Sequence, residues 1–146
     1  MTDGWFLVLL AHATGTWAMV GLIWFVQVVH YPLFAAVGED RFIAYEARHT
    51  RLTAWVVGAP MATEGFAALA LLTQVDHIGL GATGLGLALL AAIHASTVLL
   101  QVPCHRRLSS GFNDDVARRL VATNWVRTVG WSCRGFLVLW MVSAVR

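Results

Sequence analysis

The chain has 146 residues, 58% of them hydrophobic and 12% charged, with a formal net charge of +2 and a mean hydropathy of +0.68. A soluble domain carries roughly 25% charged residues, so this composition excludes an ordinary water-soluble body. It also speaks against a nucleic-acid partner, because the 10 Lys+Arg positions are all arginine and form no basic run.

The length suits one domain over residues 1–146. Four apolar stretches cover Trp5–Val29, Leu52–Leu72, Ile78–Val102 and Trp125–Val145. Crossing a bilayer core takes about 20 such residues. The expected fold is all-α: an integral membrane four-helix bundle with helices over 4–37, 39–74, 79–108 and 114–145.

The first helix starts near Gly4 and is read as a span that stays, since no basic region precedes it. It passes Pro32 and stops at Gly38; Glu39-Asp40 starts the second helix. That helix is polar to Arg51 and apolar beyond, with a kink expected at Pro60. Asp76-His77 reads as a short turn. The third helix carries Gly79, Gly81, Gly84 and Gly86, spaced for close packing against another helix rather than for a nucleotide loop. It meets Pro103, and Ser109–Asp115 forms the clearest loop. Asp114 or Asp115 is expected to cap the fourth helix. Cys104 and Cys133 read as free thiols.

Arginines set the orientation. Arg41, Arg48, Arg51, Arg106, Arg107, Arg118 and Arg119 flank the first and third turns, which places those turns in the cytoplasm. The C-terminus holds only Arg146, so both termini are expected outside. The two halves share a plan of apolar helix, proline, then arginine-rich turn, which hints at duplication.

Ionisable groups inside apolar spans need a partner or a task. At about 1.5 Å and 100° per residue, they fall into two layers facing the bundle interior. The layer nearer the arginine-rich turns holds His30, His49, His105, Gln101, Asn124 and Arg127. The deeper one holds His12, Glu64, His94 and Arg134, with Glu64 and Arg134 as the obvious ion pair. That pair is either a clamp on helix register or part of a proton path with His12 or His94. His30, His49 and His105 come from three helices and are either locally hydrogen-bonded or ligands of zinc, copper or iron. Haem between His12 and His94 is disfavoured by their difference in depth. Trp17, Trp24 and Trp131 are spaced to line the interior.

Several of these residues resemble the anthrone-oxygenase-like family of small four-helix membrane proteins. The similarity is remote and spread over most of the chain. It rests on Gly21 with the run to Tyr31-Pro32, on Pro60, on Val102-Pro103 with Leu108, and on Asn124-Trp125-Val126-Arg127-Thr128. The resemblance implies oxidation of a polycyclic phenol by dioxygen, without metal or flavin. This chain departs from the family pattern at His49 and His105, which stand where asparagine is expected, and at Trp125.

The leading expectation is a membrane-embedded enzyme acting on a lipophilic or aromatic molecule. His30, His49 or His105 would be the base or metal ligands, and Asn124 and Arg127 would stabilise an anion. Tyr31, Tyr45, Gln101 and Trp131 would line the pocket. The alternatives are a non-enzymatic subunit or assembly factor in a larger membrane complex, and a proton-coupled carrier using Glu64 and His94. The bilayer is the expected partner, with self-association open.

Overall fold

The computed structural model describes residues 1–145; Arg146 lies outside the described residues. Four long helical rods account for nearly all of them, and no strand occurs among the described residues. We label them α1 (Asp3–Ala36), α2 (Glu39–Ile78), α3 (Leu80–Leu108) and α4 (Asp114–Ala144). The first three are long and apolar enough to cross a membrane. α4 carries Arg118, Arg119, Arg127 and Arg134 and is not one of the three.

The breaks are local in origin. Gly38 and Gly79 adopt φ of +83° and +96°, a region open mainly to glycine. The chain therefore turns at Gly79, and Asp76-His77, expected as the turn, stays helical within Val75–Ile78. Asn113 caps α4 by accepting from the Val116 N–H at 3.0 Å. Asp114 and Asp115 are not the cap. They sit in the first turn and pair with Arg118. α2 runs unbroken through Pro60.

α1 and α3 share a device that their sequences do not advertise. Each contains a π-helical turn, Val26–His30 in α1 and Thr97–Gln101 in α3. Tyr31 N–H reaches back to Val26 O at 3.0 Å, and Val102 N–H reaches back to Thr97 O. A proline follows directly in each case, Pro32 and Pro103. Proline lacks an N–H and collides with the carbonyl four residues earlier; widening the preceding turn relieves that conflict. The inserted residue rotates everything downstream by about 100°.

Packing is uneven around the bundle. α1 lies against α2 and α4, and α3 lies against α4, whereas α2 and α3 touch sparsely. The order around the axis is thus α2, α1, α4, α3, with an open seam between α3 and α2. The tight crossings use glycines other than the expected row. A Cβ at Gly15 would meet Pro60 O at 3.0 Å and Glu64 N at 3.1 Å, and one at Gly130 would meet Ile93 at 2.8 Å. Gly81 and Gly84 face open space, and Gly86 alone of that row approaches α4 side chains. The small-residue row therefore does not form the expected close interface.

Along α4 the interior alternates between apolar and polar levels. Leu120 belongs to one apolar cluster with Tyr31, Phe34, Phe42, Cys104 and Leu108. Asn124 and Thr128 follow, then Trp131 in a cluster with Met19, Val20, Ile23 and Ile93. Arg134 comes next, then Val138 and Met141 with Leu9, Leu71 and Ile78. Trp17 and Trp24 do not line this interior; they are 38% and 43% exposed. Trp17 packs its edge on Phe136, and Trp24 donates to Ser132 Oγ at 3.0 Å. Both cysteines are free, Cys104 buried and Cys133 exposed.

Candidate functional site

The π turns and α2 together gather imidazoles from three helices at the arginine-rich end. Tyr31 follows the π turn of α1, His105 follows that of α3, and His49 projects from α2. His30 Nε2 and His49 Nδ1 share a hydrogen bond of 2.7 Å. The His49 and His105 rings lie 5.3 Å apart. Thr53 Oγ1 also contacts His49 Nδ1, at 3.1 Å.

Glu46 is the residue that sequence reasoning missed. It is fully buried, and its Oε1 lies 2.6 Å from His105 Nδ1. On the opposite side of that ring, Nε2 shares a 3.0 Å hydrogen bond with the Tyr31 hydroxyl. Tyr31, His105 and Glu46 thus form a continuous chain from hydroxyl through imidazole to buried carboxylate. The signal was present in the sequence: Glu46-Ala47-Arg48-His49 is an ExxH pair, and residues three apart share a helix face. One ligand-type atom each from Glu46, His49 and His105 lies within 4.8 Å of the others. His30, expected as the third metal ligand, is not in that donor set; it bonds to His49 instead.

A cleft of about 420 Å³ runs along the α2–α3 seam above this cluster. Ala54, Val57, Met61 and Val102 form apolar walls, and Tyr31, His49, His105 and Arg127 form polar ends. Arg127 is half-buried. It lies beside the Tyr31 hydroxyl, with its guanidinium carbon 5.4 Å from the centre of the Trp131 ring. Its Nε has no hydrogen-bond partner. Gln101 lines the same cleft, donating to Thr123 Oγ1 at 2.9 Å while its own carbonyl oxygen stays unpartnered.

Other expected site residues go elsewhere. Asn124 does not reach the histidines. It donates to Gln27 Oε1 at 2.9 Å, and Gln27 Nε2 donates back to Val121 O at 3.1 Å. This is a helix–helix tie between α1 and α4, and Arg127 is the residue of that segment that enters the cleft. Tyr45 sits outside the cleft, in a smaller depression that it shares with His30, His49 and Arg48. Trp131 is fully buried but belongs to the deeper layer, where its Nε1 donates to Glu64 Oε2 at 3.0 Å.

In that deeper layer Glu64 and Arg134 form an ion pair of 2.7 Å, with both side chains buried. Thr16 donates to Glu64 Oε1 at 3.0 Å. Arg134 also donates to Gly86 O and contacts His12 Nε2 at 3.0 Å. His94 is not part of this layer: it is half-buried and bonds back to Leu90 O at 2.9 Å. A regular helix would set His94 on nearly the same face as Gln101 and His105, and the π turn at Thr97–Gln101 breaks that alignment.

No family model matches the chain, and no curated protein or solved structure matches it either.

Proposed function

We propose that the chain is a four-span membrane enzyme whose seam cleft receives a lipophilic molecule bearing an acidic hydroxyl, such as a fused aromatic phenol. Three helices meet the length and hydropathy that spanning requires. α4 falls short because of arginines, yet Arg134 is only 2% exposed. Its outward face is Trp125, Val129, Phe136 and Trp140. An outward apolar face with inward charge is the arrangement a bilayer favours.

The observation that carries the reading is the cleft itself. Its walls are apolar, and it lies where two helices fail to close. A hydrophobic ligand can therefore enter sideways from the lipid. At its polar end the Tyr31 hydroxyl, hydrogen-bonded to His105 Nε2, can take up the ligand's proton while passing its own to that imidazole, and Glu46 behind the ring stabilises the resulting imidazolium. Arg127, beside Tyr31, faces the anion left behind. The resemblance carried by Val102-Pro103 and Asn124–Thr128 points to the same ligand class and to oxidation of the anion by dioxygen.

A naphthol probe, whose neutral and ionised forms absorb differently, tests this in lipid nanodiscs. The protein is expected to bind the probe as its anion. Ala54→Trp, which fills the cleft, is expected to abolish binding. His105→Gln is expected to leave the bound probe neutral. Equal binding by the filled variant, or an unchanged anion band in His105→Gln, would sink the proposal.

A further inference from the structure

We propose that Glu46, His49 and His105 bind a first-row divalent cation at the floor of the cleft. This deepens the reading above and rests on the same floor. Two imidazoles and one carboxylate are the donor set of open zinc and iron(II) sites. The ExxH spacing presents two donors from one face of α2, a pattern that helical bundles use to hold metals. α3 contributes the third, and the three ligand-type atoms lie within 4.8 Å of one another.

The surroundings supply what a ligand set needs. Glu46 is fully buried, and its Oε2 has no hydrogen-bond partner. A buried carboxylate oxygen left unpaired is costly. Among the described residues, Glu46 forms a salt bridge only with the His105 imidazole, which is charged only when protonated. A cation would replace the proton those two groups share.

The remaining ring nitrogens are held in the way that metal-bound histidines require. His49 Nδ1 is engaged by His30 and Thr53, leaving Nε2. His105 Nε2 is engaged by Tyr31, leaving the Nδ1 that faces Glu46. His30 and Tyr31 are then positioning residues that set tautomer and ring orientation. His49 and His105 both border the cleft, so a ligand's acidic oxygen can meet the cation there. With the cation bound, His105 is a ligand rather than the proton acceptor, and the cation would act in its place as a Lewis acid favouring the oxygen's anion.

Cobalt(II) alone, added to chelator-stripped protein in detergent with no phenol present, tests the site. The full chain is expected to take up one cobalt and develop a visible ligand-field band. His49→Ala and Glu46→Gln are expected to lose the band, and His30→Ala to weaken binding about 10–100-fold. His77→Ala, at an exposed position remote from the cleft, is expected to change nothing. His49→Cys is expected to keep binding and add a sulfur charge-transfer band, a positive signature that an unfolded chain would not give. A monodisperse wild-type protein that binds no cobalt would overturn the proposal, as would a band that survives in His49→Ala. Naphthol binding without cobalt binding would remove the metal and leave the cleft reading intact. Cobalt binding without naphthol binding would do the reverse.

Discussion

Replacing Glu64 by glutamine keeps the shape of the side chain and removes its charge. The carboxylate accepts from Thr16, Trp131 and Arg134 at 2.7–3.0 Å. A glutamine places an NH₂ where one of those donors now points, so one hydrogen bond becomes a clash of donors. Arg134, 2% exposed, loses its counter-charge. Breaking a buried pair by removing one partner costs about 3–5 kcal/mol. Arg134→Met should cost a similar amount, since it strands Glu64 and removes the donors to Gly86 O and His12. If each single loss is mostly an unpaired charge, the double variant should be cheaper than the sum of the singles by about 2–3 kcal/mol. The assay is unfolding in mixed micelles with increasing denaturing detergent, followed by tryptophan fluorescence, for both singles and the double. Additivity within about 0.5 kcal/mol would refute the reasoning, because the two residues would then not be acting as a pair.

Three further outcomes follow from the geometry. Gly15→Ala should destabilise by about 1–3 kcal/mol, because the new Cβ meets Pro60 O at 3.0 Å. Gly84→Ala, with nothing within 4 Å, should instead raise stability by up to about 1 kcal/mol; equal effects in the same unfolding assay would contradict the packing. Asn113→Ala should cost about 1 kcal/mol by removing the cap on α4, while Asp114→Ala should cost less; the reverse order would move the cap. In a cysteine-free background in intact cells, an impermeant maleimide should label Thr2→Cys and spare Ser110→Cys. Labelling of position 110 would invert the expected orientation.

How much of the site was legible depended on how local the signal was. The two polar levels could be read from residue counting, because depth along a helix is set by a fixed rise per residue. His49 and His105 could therefore be assigned to one level, and Glu64 with Arg134 to another. Facing direction was less secure. His94 was expected beside Arg134, and the π turn after it carries the downstream residues to a different face. Asn124 was expected in the cleft, yet it sits one helical step away, bound to Gln27. Trp17 and Trp24 were expected inside and are turned outward. Glu46 was overlooked although Glu46-Ala47-Arg48-His49 is an ExxH pair, and its weight depends on His105 arriving from α3.

The sequence by itself determined the helices, their approximate ends and the apolar character of three of them. The reason is physical: a helix satisfies its backbone hydrogen bonds within itself, so its existence is a property of a contiguous stretch. Only the tertiary structure decided which residues meet. The open α2–α3 seam, the glycines at the tight crossings, and the chain from Tyr31 through His105 to Glu46 each join positions far apart in the chain. They depend on two π turns that rotate α1 and α3 by a residue, and on how four helices share one interior. That arrangement is a balance among all the contacts at once, and no single stretch of sequence carries it.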